Sequence, residues 1–151
     1  NVVYDCNSTA FYQHYGRDNL VINNILAFAE EGQVSSFRNQ PHVGFHLIRN
    51  IIVSENSEFI SMDDIIEQKI RGRFNDANNI YWDYQSGDRG IDATWFQKEL
   101  GLYNAAAFIN PEFIDWQNRE FTLKKDSPVL ELGFIPWDIS KAGRKTAKVV
   151  S

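Results

Sequence analysis

The chain has 151 residues, 43% of them hydrophobic and 14% aromatic, enough to fill one interior and too few for two full domains. Fifteen Lys and Arg against twenty Asp and Glu leave a net charge of −5 with no long basic stripe, so nucleic acid is not an expected partner. No apolar run approaches the roughly 20 residues of a membrane-spanning helix, and the single cysteine, Cys6, forms neither an internal disulfide nor a cysteine metal cage.

The chain opens inside a strand-like run without an initiator Met or signal peptide, which reads as a fragment whose export signal, if any, lies upstream. Four segments share a pattern: Asn1-Val2-Val3-Tyr4-Asp5, Asn24-Ile25-Leu26-Ala27-Phe28, Asn50-Ile51-Ile52-Val53-Ser54 and Asn79-Ile80-Tyr81-Trp82-Asp83. Their leading asparagines are 23, 26 and 29 residues apart. Runs this short and this rich in Ile, Val and Tyr are strands rather than amphipathic helices. One Asn-led strand per repeat, with shorter strands between, predicts an all-β fold: a right-handed parallel β-helix of about three coils. Coils stack about 4.8 Å apart, so the asparagines of successive turns form a hydrogen-bonded ladder that satisfies groups otherwise orphaned.

Between the Asn-led runs, the pattern predicts strands over 10–15 and 20–22, then 34–38 and 43–48, then 58–62 and 71–74. Ser61-Met62-Asp63-Asp64, followed by Ile65, Ile66 and Ile70, is alternatively the start of a short helix. Beyond Asp83 the repeat stops. Residues 85–90 form a loop, and 92–101 read as a helix with an acidic start and a glycine stop. Asn110-Pro111, Ser127-Pro128 and Ile135-Pro136 then punctuate short extended pieces such as 121–123. Together these are expected to close the open end of the stack. The division is therefore coils over 1–90, helix and capping segment of the same domain over 91–140, and a solvated tail over 141–151.

The segments Gln13-His14-Tyr15-Gly16-Arg17-Asp18-Asn19 and Asn23-Asn24-Ile25 carry a resemblance, as do Phe113-Ile114-Asp115, Phe121-Thr122-Leu123, Ser127-Pro128 and Leu132-Gly133-Phe134. Over nearly its whole length the chain resembles the C-terminal part of bacterial right-handed parallel β-helix proteins of the pectate-lyase-like superfamily. It departs from them at Asn110-Pro111-Glu112, where members often carry Asp-Pro. The likeness implies a secreted or periplasmic, carbohydrate-active protein whose partners are a polysaccharide or oligosaccharide and upstream β-helix coils. It implies no cofactor. A glycoside hydrolase is favoured over a polysaccharide lyase, because the sequence shows no compact acidic calcium cluster. A non-catalytic glycan-binding or adhesion module is the alternative.

If 10–15 alternates as a strand, Phe11, Gln13 and Tyr15 face one side, with Phe11 and Tyr15 inside, while Tyr12 and His14 face out. A coil spacing of about 24 residues carries His14 onto Arg38 and Gln13 onto Phe37, and the third coil adds Asp63 or Asp64. This column would supply a proton-transferring imidazole, a guanidinium clamp and a carboxylate base or nucleophile. Arg17 and Asp18 either hold the corner after Gly16 as an ion pair or present a clamp and an acid to ligand. His42 and His46 share one side of a predicted strand; no metal is expected, because metal-binding histidines four apart belong on a helix and no third ligand is evident. Glu30, Glu31, Glu55 and Glu58 are candidates for a second carboxylate. Among Trp82, Trp95, Trp116 and Trp137, Trp82 is expected to be exposed with Tyr84 as a stacking platform for sugar.

Overall fold

Val2, Ile25, Ile51 and Ile80 stand in single file, each paired in parallel register with the next, and Ala107 adds a fifth member. The computed structural model in which they do so describes residues 1–36, 40–55, 57–61, 65–86 and 96–139. The Asn-led runs are β1 (Val2–Tyr4), β4 (Ile25–Ala27), β7 (Ile51–Ser54) and β10 (Ile80–Asp83), which with β11 (Ala107–Phe108) form sheet A. Sheet B is β2 (Thr9–Gln13), β5 (Gly32–Ser36) and β8 (Glu58–Ser61); sheet C is β3 (Asn19–Ile22), β6 (Phe45–Ile48) and β9 (Phe74–Ala77). The chain passes from A to B to C in each turn, giving an all-β parallel solenoid of about three coils. Among the described residues no helix is long and apolar enough to cross a membrane.

The short corner from sheet C to sheet A is identical in every coil. Asn23, Arg49 and Asn78 adopt left-handed backbone at φ 57°, 51° and 55°, and the next residue is the ladder asparagine. Left-handed backbone costs an ordinary residue roughly 1–2 kcal/mol. The turn is held by N–H donation from Asn23 to Ile48 O, from Arg49 to Ala77 O and from Asn78 to Asn104 O. The ladder itself runs Asn1 Nδ2 to Asn24 Oδ1, Asn24 Nδ2 to Asn50 Oδ1 and Asn50 Nδ2 to Asn79 Oδ1, each at 3.0 Å.

Inside the coils, Val3, Leu26, Ile52, Tyr81 and Phe108 stack in one column, and Phe45 lies on Phe74 with ring centroids 5.3 Å apart and planes within 7°. One charged side chain enters this interior from the wall of sheet C: Asp76, in register below Val21 and Leu47, pairs with Lys69 of the helix α1 (Ile65–Ile70). The helical alternative for 61–70 is thus realised over 65–70. The following strand begins at Phe74 instead of Arg71.

Sheet A is apolar on both faces, and this decides the fate of the C-terminal third. Leu102 and Tyr103 join the interior cluster and close it; the π-helical turn Phe96–Leu100 is the described part of the helix expected over 92–101. The antiparallel hairpin of β12 (Phe113–Asp115) and β13 (Glu120–Leu123) does something else. With Val129 and Phe134 it packs Phe113 and Phe121 on the outer face of sheet A, against Ile25, Ile51 and Ile80. It is a strap along the side of the stack rather than a plug in its end. Arg119 ties it to the first coil by donating Nε and Nη2 to the two Asp5 oxygens, both at 2.8 Å.

Candidate functional site

The chain makes its sharpest departure from regular structure at the corner where β2 of sheet B hands over to β3 of sheet C. The strand ends at Gln13, earlier than the alternation predicts, and Gln13 turns its amide into the corner, where Nε2 donates to Tyr15 O and Oε1 accepts from Asn19 Nδ2. Gly16 follows at φ 127°, a backbone that side-chain-bearing residues rarely adopt, and a Cβ there would stand 2.5 Å from Asn19 Nδ2 and push the Asn19 side chain aside, so glycine is favoured. Tyr15 is therefore thrown outward, 59% exposed, contrary to its expected place inside. Its ring meets His14 edge-on at 4.6 Å, and Tyr12 lies 5.8 Å from His14 on the other side. Tyr12, His14 and Tyr15 form an exposed ledge.

Beside that ledge Asp18, at φ 51°, projects its carboxylate back over the second coil. Arg17 Nε lies 3.3 Å from Asp18 Oδ2, and His46 Nε2 lies 3.5 Å from Asp18 Oδ1. His46 in turn stacks on Asn75 of the third coil, with His46 Nδ1 3.2 Å from Asn75 Nδ2. His42, in the turn before β6, donates from Nε2 to Gly16 O at 3.2 Å and so supports the glycine corner from below. All three histidines of the chain belong to this one corner. The carboxylate sits between a guanidinium and an imidazole, which fix its direction.

Several expectations are corrected. The register pairs Gln13 with Ser36, one residue short of the predicted Phe37, because the first coil is 23 residues long at this point. Arg38, Asp63 and Asp64, the other members of the predicted column, lie outside the described residues. Ser35, which stacks on outward-facing Tyr12, is wholly buried, so the outer face of sheet B is not an open trough in the second coil. His42 and His46 do not share a strand face, since the strand starts at Phe45. Trp82 is 7% exposed, with its ring edge-on to Trp116 of the strap, and offers no face to a sugar. Tyr84 is half-buried on Trp116, and its hydroxyl donates to Glu55. Glu31, which accepts from Ser8 Oγ, and Glu58 stand at the leading end of the sheet B strands, whereas Asp18 lies past the trailing end of β2. At about 3.3 Å per residue, a strand length separates them, beyond the roughly 5–9.5 Å of a glycosidase carboxylate pair.

Sequence reasoning placed His14, Arg17 and Asp18 here but missed the pairing of Asp18 with His46 and the part of Asn75. A signal existed. Leu20, His46 and Asn75 each precede a ladder asparagine by four residues, and they form one outward column on sheet C.

Elsewhere, a groove of about 1080 Å³ runs between β1 and the strap, lined by Tyr4, Phe121 and Trp137. Its polar groups are committed: Arg119 to Asp5, and Asn23 to both N–H and C=O of Ile135. Asp138 also lines it but no histidine does, and the corner, which brings three histidines together with Asp18, is the better candidate. Among the described residues no three His, Cys, Asp or Glu side chains converge as a metal-holding group. No family model, curated protein or solved structure matches the chain.

Proposed function

We propose that the chain acts on polysaccharide, cleaving a glycosidic bond at the corner that holds Asp18. The reading is carried by one observation: a carboxylate from the first coil, braced by Arg17 and by His46 of the second, beside the aromatic ledge of Tyr12, His14 and Tyr15. The solenoid fold is compatible with such a function.

In this reading Tyr12 and Tyr15 pack on the apolar face of a pyranose, and Arg17 engages a hydroxyl or carboxyl of the sugar. Asp18 takes a proton from the water that attacks the anomeric carbon. As the glycosidic C–O bond breaks, His14 gives its proton to the departing oxygen. His42 acts by supporting the glycine corner. Trp82 and Tyr84 have no part in it.

The test is reducing-end release from a panel of plant and algal polysaccharides, with Asp18→Asn and His14→Ala as controls. Loss of at least about 100-fold in kcat for Asp18→Asn is expected; unchanged turnover in both variants removes the site. A second reading, a glycan-binding module, is favoured by the ledge itself, since the described corner holds one carboxylate instead of a pair. Retention on a glycan column that Tyr12→Ala abolishes, with no reducing ends released by the native chain, would decide for it.

A further inference from the structure

Leu20, His46 and Asn75 form one outward column on sheet C, and the two contacts of the His46 ring constrain each other. Nε2 faces the Asp18 carboxylate, which only accepts hydrogen bonds. A proton on Nε2 is the arrangement that makes this contact attractive. A neutral ring with that proton has a bare lone pair on Nδ1, and the group 3.2 Å from Nδ1 is the amide nitrogen of Asn75, a donor. The reverse tautomer would set a lone pair against the carboxylate and an N–H against the amide N–H.

From this we infer that Asn75 is a positioning residue: its side-chain amide donates to His46 Nδ1, locks the imidazole in the Nε2–H tautomer, and so turns a hydrogen-bond donor toward Asp18. Three coils thus contribute to one carboxylate: the first supplies Asp18 itself with Arg17, the second His46, the third Asn75. Leu20, 70% exposed, stacks above His46 at the head of the column. The consequence for catalysis rests on the polysaccharide-cleaving reading; the tautomer does not.

The experiment is nitrogen–proton correlation spectroscopy of the chain labelled in its histidine rings, recorded well above the ordinary histidine titration range of about 6.5. His14→Gln and His42→Gln assign the His46 signals. In the native chain His46 is expected to show a protonated Nε2 and a bare Nδ1. Asn75→Asp, which puts an acceptor where the donor stood, should move the Nδ1 resonance to the protonated position. Asn75→Leu should leave Nδ1 bare of its hydrogen bond and shift it toward the value of free imidazole. Asn75 is exposed, so neither variant disturbs the core. A native His46 protonated on Nδ1, or an Nδ1 resonance unmoved in both variants, overturns the assignment whether or not any glycan is cleaved. If turnover is found, Asn75→Asp should lower kcat by about tenfold with KM unchanged.

Discussion

The Asn50 side chain donates to Asn79 Oδ1 at 3.0 Å, and the same oxygen accepts the Asn50 backbone N–H at 2.9 Å. Above it, Asn50 Oδ1 serves Asn24 in the same two ways, and Asn50 Nδ2 also reaches Val21 O and Ile48 O. Asn50 is wholly buried, so losing its amide leaves the Asn24 backbone N–H without its acceptor and takes one donor each from Asn79 Oδ1, Val21 O and Ile48 O, at about 1–3 kcal/mol for a group left unpaired before relaxation. Asn50→Leu should therefore lower the unfolding free energy by at least about 3 kcal/mol in urea titration, and Asn1→Ala, at the end of the ladder, by less than about 1. Equal losses at the two positions would refute the ladder as a source of stability.

Lys69 Nζ lies 2.5 Å from Asp76 Oδ1, and the Asp76 side chain has no exposed surface. Asn104 N–H donates to its other oxygen at 3.3 Å. Removing one partner strands a buried charge, so Asp76→Leu alone should destabilise by about 3–5 kcal/mol. The double variant Lys69→Met with Asp76→Leu removes both desolvation penalties and should recover most of that loss. A double variant as unstable as the single would show that the pair does more than neutralise itself.

Burial, with Asp76 and Glu58 nearby, pushes the Tyr103 hydroxyl up to about 12 from an ordinary value near 10. Burial also raises that of Tyr81. In alkali the unfolded chain gives up these protons first and so binds fewer than the native chain, and the sign is negative: stability falls as pH rises through about 10 to 12. Tyr103→Phe should flatten that part of the curve, by about 2–3 kcal/mol at its upper end, when unfolding is followed by circular dichroism at several pH values. A native-like slope in the variant would place the alkaline sensitivity elsewhere.

Arg119 fastens the strap, paired with Asp5 and lying 4.3 Å from the centroid of the Phe28 ring. Both partners are partly exposed, at 31% and 46%, so screening keeps the ion pair small, and Arg119→Ala should cost only about 1 kcal/mol. The local effect is larger. Deuterium uptake in β13 should accelerate several-fold while β7 in the core exchanges as before. Uniform acceleration across both strands would mean that the strap and the coils open together.

The sequence alone determined the coil architecture, the file of Val2, Ile25, Ile51 and Ile80, and the asparagine ladder. The reason is geometric: the corner from sheet C to sheet A has the same short form in every coil, so register carries through it without error. Counting back four residues from Asn50 and Asn79 reaches His46 and Asn75 correctly for the same reason. Tertiary structure alone decided what crosses the corner from sheet B to sheet C, whose length changes from coil to coil: β2 ends at Gln13 and β3 begins at Asn19, but β5 ends at Ser36 and β6 begins only at Phe45. A forward count through such a corner slips, which is how the meeting of Asp18 with His46 was missed, whereas setting Gln13 on Phe37 instead of Ser36 comes from a spacing of 24 where the first coil has 23. The burial of Trp82 was equally invisible along the chain, since nothing in the run Ile80–Asp83 says which partner covers its second face. A strand apolar on both sides needs a cover on each, and only the folded chain shows the strap supplying one of them.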